Sequence, residues 1–137
     1  MPENSMHATG QFNVRLPAHP VAPDTEAAQL GRKAIHKTFA GDLQGSSLGE
    51  MLNSLGTVPG SAGYVALEKF EGTLDGRRGS FVLMHYGVMD RGQSSLHIQV
   101  LPDSATGELQ GLSGRMQIHI HDGQHDYAFD YSLPAAP

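Results

Sequence analysis

Apolar and polar residues alternate along much of this chain with a period of two, which is the spacing of a β-strand with one buried face. Within residues 6–16, for example, Phe12 and Val14 fall on one face and Gln11 and Asn13 on the other. Seven further segments have a strand-like composition, and they lie at residues 30–41, 46–55, 63–74, 80–90, 95–101, 114–121 and 124–133. The sequence therefore predicts an all-β chain of about eight strands.

Short connections rich in glycine separate these segments. Asp75-Gly76 and Asp122-Gly123 readily adopt the positive φ angles of a tight hairpin turn, and Arg91-Gly92 can serve similarly. Residues 17–25 contain three prolines and are expected to form a long loop. An antiparallel sheet has two exposed edges unless it closes, so we expect a closed or nearly closed antiparallel barrel, with a β-sandwich as the alternative. The residues expected in its core are Phe81, Met116, Ile118, Ile120 and Phe129.

The composition is that of one globular domain. The chain has 137 residues, of which 39% are hydrophobic and 17% charged, so there is enough apolar material for one core. We expect a single barrel domain over residues 6–134 and a flexible N-terminus at residues 1–5. Seventeen glycines and eight prolines fit a chain that turns back on itself repeatedly.

Charge and cysteine content narrow the classes of partner. A net charge of −5, with no basic stripe, argues against binding to a nucleic-acid backbone. No segment reaches the apolar length of a membrane span, and no signal sequence follows Met1, so we expect a cytoplasmic protein without membrane contact. The absence of cysteine excludes disulfides and thiolate zinc sites. We expect no cofactor.

Four strings in the chain together resemble an uncharacterised bacterial family, the domain of unknown function 3224. They are GEML at 49–52, GSAGYVALE at 60–68, GRRGSFVLMHYGVMDRG at 76–92 and PDSATGELQGLSGRMQIHIHDGQHDYAFDY at 102–131. The resemblance implies a small barrel of the allene oxide cyclase or lipocalin-like kind, similar also to dirigent proteins, with a glycine-rich turn at residues 105–114. It also implies self-association, most simply as a dimer. It implies no activity, because a fold alone does not assign a function.

The densest group of candidate metal ligands follows residue 118. If Asp122-Gly123 forms the turn, His119, His121 and Asp126 share the polar face of the hairpin, whereas His125 falls on the apolar face with Tyr127. We interpret the first group as a solvated surface with a cross-strand His119–Asp126 pair, and we expect no tightly bound metal. His125 is either a core histidine or a polar point in a pocket.

A second group of candidate residues lies on the hairpin of residues 63–74 and 80–90. Whether the turn has two or four residues, the same residues of the two strands point to the same side of the sheet. We therefore expect Tyr64, Glu68 and His85 to share a face with Phe81 and other apolar residues. An enclosed carboxylate and imidazole need each other or a ligand, because an unpaired buried charge is costly. The pair is either a structural hydrogen bond or a general base with its orienting group.

These residues lead to three hypotheses of function. The first is a barrel that binds a small apolar or amphipathic molecule in its lumen or mouth, and the alternatives are a cyclase or isomerase with a shaped apolar cavity, and a structural oligomer with a filled barrel. The pocket candidates are Glu68, His85, His125, Tyr127, Tyr64 and Glu50.

Overall fold

Nine β-strands make up most of the chain in the computed structural model, which describes residues 5–134. Two short 3-10 helices, Pro23–Ala28 and Gly107–Leu109, lie between strands, and no helix of this described range is long and apolar enough to cross a membrane. The strands are β1 (Ser5–Arg15), β2 (Ala18–His19), β3 (Gly31–Gly41), β4 (Leu43–Leu55), β5 (Ala62–Leu74), β6 (Arg77–Asp90), β7 (Gln93–Val100), β8 (Ser113–His121) and β9 (Gln124–Ser132).

The strands form one closed antiparallel barrel, as the alternation and turn chemistry predict. Their order in the sheet is β1-β9-β8-β7-β6-β5-β4-β3-β2, and a further pairing of β1 with β3 closes the barrel at eight strands. The two-residue β2 pairs with the start of β3, beside the closure. The predicted strands are all present, although β4 begins at Leu43 and β6 at Arg77, three residues earlier in each case than the sequence indicates.

The predicted hairpin turns are present. Asp75-Gly76, Arg91-Gly92 and Asp122-Gly123 each join two consecutive strands, and all six residues have positive φ angles between 49° and 89°. Both central residues of a type I′ turn need a positive φ, which explains the aspartate-glycine sequences. The last turn sets the predicted register, in which His119 lies opposite Asp126 and Ile120 opposite His125. The expected loop of residues 17–25 includes β2 and the start of the first 3-10 helix.

Aromatic rings fill one half of the barrel. Phe81 packs between Phe70 and Phe129, with ring centroids 5.0 and 5.9 Å away, and all three rings are fully buried. Leu109 and Leu112, from the segment between β7 and β8, are buried in the same cluster and cover this end of the barrel. We call it the closed end.

The opposite end of the barrel is open. It carries the Arg91-Gly92 and Asp122-Gly123 turns and the connection between β4 and β5. The expectation that Ile120 is a core residue is wrong, because its side chain is 67% exposed. The alternation along β8 places Ile120 on the same inward side as the buried Met116. Ile120 lies one residue before the end of the strand, however, beyond the packed aromatic rings.

Candidate functional site

A chain of polar side chains crosses the barrel interior above the aromatic cluster. Glu68 on β5 and His85 on β6 both face inward, as the parity of the hairpin predicts, and Nε2 of His85 lies 3.1 Å from Oε1 of Glu68. The two residues are 1% and 8% exposed. A carboxylate in such a place requires compensation, because burial removes its hydration.

Lys37 and Ser47 provide that compensation, and the sequence analysis missed both. Nζ of Lys37 on β3 lies 2.7 Å from Oε1 of Glu68, and the hydroxyl of Ser47 on β4 donates a hydrogen bond to Oε2. Lys37 also lies over the ring of Phe12, 4.7 Å from its centroid. The signal was available, since Lys37 alternates in phase with Ile35 and Phe39, which face the core.

These partners keep Glu68 ionised. Burial alone would raise the pKa of its carboxyl group, but the nearby Nε2 of His85, the charge of Lys37 and the hydroxyl of Ser47 lower it to about 2. Because Lys37 carries the opposite charge, the buried pair is close to neutral overall.

Tyr64 extends the chain toward the open end. Its hydroxyl lies 2.8 Å from Nδ1 of His85, and its ring packs edge-on against the imidazole at 5.4 Å. Burial, and then the charge of Glu68, raise the pKa of Tyr64 to about 12, so the phenol keeps its proton at neutral pH. Gly87 lies opposite Tyr64, and a Cβ there would come within 3.0 Å of the ring, so glycine at this position allows the ring to lie flat against β6.

The imidazole of His85 has one buried nitrogen without a well-aligned partner. Nε2 lies close to Glu68 but off the hydrogen-bond axis, and it makes no hydrogen bond with other residues of the described range. Glu68 is an acceptor only, so the tautomer that suits both neighbours has the proton on Nε2 and accepts a hydrogen bond from Tyr64 at Nδ1. A buried nitrogen of this kind is uncommon in folded proteins.

Apolar side chains form the rim above this polar chain. Met89, Leu96 and Ile120 have inward parity on β6, β7 and β8, yet they are 43%, 45% and 67% exposed. Met51 and Ile118 lie deeper and are half-buried. Inward-facing residues that remain exposed line an open mouth, and here the mouth combines an apolar rim with a polar floor.

The other pocket candidates lie apart from Glu68, His85 and Tyr64. His125 is half-buried near the rim, 5.0 Å from the ring of Phe12. Tyr127 packs in the core, where its hydroxyl donates to the carbonyl of Ala40 and accepts from the amide of Leu43. Glu50 faces outward and pairs with Arg32 at 2.6 Å.

The histidines of β8 lie on the outer surface. His119 is opposite Asp126 in register, but the contact is made by His121, whose Nε2 lies 2.5 Å from Oδ2 of Asp126. The register is the expected one, but the side-chain contact lies two residues further along β8 than expected, because the side chain of Asp126 leans toward the turn, where Gln124 also donates to it. Within residues 5–134, no three histidine, aspartate or glutamate side chains form a cluster that could hold a metal ion.

A large groove lies on the outside of the barrel. It measures about 1130 Å³ and lies between the outer face of β4 to β7 and a wall that includes Val21, Ala22 and Leu30. Most polar side chains of the groove already have hydrogen-bond partners within the protein. Arg32 donates to Glu50 and to the carbonyl of Pro20, and His97 is hydrogen-bonded to Gln99. The remaining lining is mainly aliphatic.

Comparisons with known proteins identify one family. A sequence profile described as a protein of unknown function (DUF3224) matches residues 8–131. A crystal structure of a protein of unknown function from the DUF3224 family of Shewanella oneidensis MR-1 has 48% sequence identity to this chain and a TM-score of 0.89. The match covers 96% of this chain and 99% of that one. A search of curated proteins gave no match.

Proposed function

This chain belongs to the DUF3224 family, and we propose that it binds a small amphipathic molecule in the open mouth of its barrel. The observation that carries the proposal is the exposure of inward-facing apolar residues directly above a buried polar chain. Met89, Leu96 and Ile120 are exposed at positions whose parity faces the lumen. An apolar body that covered them would gain about 25 cal/mol for each Å² removed from water.

The polar residues at the floor of the mouth determine which head group the ligand can have. Tyr64 is half-buried between the rim and His85, and its hydroxyl can accept a hydrogen bond from a ligand while it donates to Nδ1. Glu68 is already surrounded by Lys37, Ser47 and His85, so its role is to hold the imidazole rather than to contact the ligand. We therefore expect a head group that forms a hydrogen bond with Tyr64 and a chain or ring that packs on the rim.

The experiment compares three probes that share an alkyl chain: decanoate, decanol and decyltrimethylammonium. Each is titrated into protein labelled with ¹⁵N and ¹³C, below the micelle concentration of the two charged probes and the solubility limit of decanol. The ring signals of His85 and the methyl signals of Ile118 and Ile120 are followed. We expect saturable shifts of all three residues with decanol, whose hydroxyl can donate to Tyr64, and weaker binding of the other two probes, whose head groups have no hydrogen to donate. Saturable shifts confined to outward residues such as Val65, or no shifts with any probe, would contradict the proposal.

Two variants assign the binding site. Tyr64→Phe removes the head-group contact and keeps the ring, so it should weaken decanol binding roughly tenfold, which corresponds to about 1.4 kcal/mol. Val65→Ser changes the neighbouring residue on the outer face of the same strand and should leave the affinity unchanged. Equal losses in the two variants would place the probe outside the barrel.

An isomerase or cyclase is the second candidate, and the Tyr64–His85–Glu68 chain favours it. An imidazole that lies between a phenol and a carboxylate can accept the proton of the phenol while the phenol oxygen removes a proton from the carbon next to a carbonyl. Both proton transfers reverse when the enolate is protonated at carbon, and the carboxylate stabilises the imidazolium formed in between. The test is incorporation of deuterium from heavy water, next to the carbonyl, into a medium-chain ketone incubated with the protein. Loss of the exchange in Tyr64→Phe, with ketone binding retained, would support catalysis by this residue. An exchange rate no higher than that in buffer alone would indicate a binding protein rather than an enzyme.

A further inference from the structure

The outer surface of the barrel is divided into a polar half and an apolar half. Outward positions on most strands carry polar or charged residues, which include His7, Gln11, Asn13, Arg115, Gln117, His119 and Asp130. Outward positions on β4, β5 and β6 carry seven exposed aliphatic or aromatic residues. They are Leu48, Leu52, Val65, Leu67, Met84, Tyr86 and Val88, and we call them the β4–β6 face.

The β4–β6 face is continuous. Leu52, Val65 and Tyr86 lie side by side across the three strands, and Leu67 and Met84 lie side by side in the next row. Each of these residues is between 38% and 57% exposed. An apolar patch of a few hundred Å² is often functional on a protein surface.

We propose that a second copy of this chain covers the β4–β6 face in a twofold dimer. In a twofold contact, residues near the axis meet their own copies, so any unpaired charge there would meet a like charge. The protein carries a net charge of −5, which opposes self-association over most of its surface. Two charged residues lie in register with the β4–β6 face: Glu50, opposite Leu67, pairs with Arg32 at 2.6 Å, and Lys69 lies opposite Leu48 at the edge of the face. This face therefore allows two copies to approach with few unpaired charges.

The size of the face fits the central part of a dimer interface. Three strands about 4.8 Å apart, with outward residues about 6.7 Å apart along each strand, give a footprint of roughly 300–400 Å² once side-chain widths are added. A stable interface buries about 800 Å² on each partner, with an apolar centre and a polar rim. The rim would include Lys69, His97, which stacks on Tyr86, and the wall of the outer groove.

The test measures the mass of the protein in solution by light scattering and sedimentation over micromolar concentrations. We expect twice the chain mass of 14.6 kDa for the native protein. Leu67→Glu should give the monomer mass, because two carboxylates would face each other near the axis. Gln117→Glu adds the same charge on the polar half and should keep the dimer. Leu67 is 54% exposed, so its substitution should leave the circular dichroism spectrum unchanged.

A second pair of variants distinguishes a twofold dimer from other molecules that could cover the β4–β6 face. Leu67→Lys should also be monomeric by itself, and an equimolar mixture with Leu67→Glu should recover the dimer mass, because opposite charges then face each other near the axis. A native protein that is monomeric throughout, or a Leu67→Glu variant that remains dimeric, would overturn the inference. Binding of a small molecule to the face of a monomer would also overturn it. None of these results depends on the mouth of the barrel.

Discussion

Replacement of Glu68 by glutamine is the sharpest test of the polar chain. The substitution keeps the shape of the side chain, removes the buried negative charge and leaves Lys37, which is 7% exposed, without its counter-ion. Removing one partner of a buried ion pair is strongly destabilising, because the other charge stays buried. We therefore expect the variant to fold with reduced stability at neutral pH.

The magnitude follows from the pKa of Glu68. That pKa is lowered from 4.5 to about 2 in the folded state. Each unit corresponds to about 1.4 kcal/mol, so ionisation of Glu68 contributes about 3 kcal/mol to the free energy of unfolding. A carboxyl group whose pKa is lowered on folding stabilises the protein above its unfolded pKa, and this contribution is lost as the pH falls toward the folded value. The difference between the native protein and Glu68→Gln should therefore shrink between about pH 4.5 and about pH 2.

Urea unfolding at a series of pH values measures this difference. We expect about 3 kcal/mol between the two proteins at about pH 7 and less than about 1 kcal/mol at about pH 2, where about half of Glu68 is itself protonated. Glu71→Gln is the matched control, because Glu71 lies on the same strand but faces solvent, and it should behave like the native protein throughout. A Glu68→Gln difference that stays constant with pH, or one below about 1 kcal/mol at neutral pH, would refute the linkage argument.

Three further outcomes test the packing. Tyr64→Phe should lower the free energy of unfolding by about 1 kcal/mol in urea titrations, because Nδ1 of His85 loses its hydrogen bond. Gly49→Ala should cost about 2 kcal/mol or more in the same titrations, since its Cβ would lie 2.1 Å from the carbonyl oxygen of Leu67, whereas Gly63→Ala, with 3.7 Å of clearance, should be close to neutral. Ile120→Ser should lower the melting temperature by only a degree or two. Phe129→Ala, in the core, should cost about 3–5 kcal/mol.

Much of the barrel could be predicted because its signals are local. The aspartate-glycine turns determine two hairpins, and the alternation then determines which residues face inward. The position of Ile120 could not be predicted from alternation, because parity gives the face of a residue but not how far the core extends along the strand. That extent depends on where the rings of Phe81 and Phe129 stop packing.

The polar chain was predictable only in part, for a similar reason. Glu68, Tyr64 and His85 lie on one hairpin, so a single turn relates their faces. Lys37 and Ser47 belong to β3 and β4 and reach Glu68 across the sheet. Their positions relative to Glu68 depend on two inter-strand registers and on the connection between β4 and β5. That connection contains a turn at Pro59-Gly60, but it is longer than a two-residue hairpin turn, so the turn alone does not determine the register of the strands.

Strands β5 and β6 carry apolar residues on both faces beside the polar side chains of Glu68 and His85. The hydrophobic pattern alone therefore does not determine the local register of these strands. Leu67 and Met84 face solvent beside Glu68 and His85, which face inward. A slip of one residue would bury Leu67 and remove Glu68 from the core, which is favourable at this level. The same slip would expose the fully buried ring of Phe70, at a cost of about 2–3 kcal/mol, and would turn charged neighbours inward. The aromatic half of the barrel therefore maintains the register, and the apolar outer row is retained along with it. Such a row is stable on an isolated barrel only at the cost of its exposure, and the proposed second copy would remove that cost.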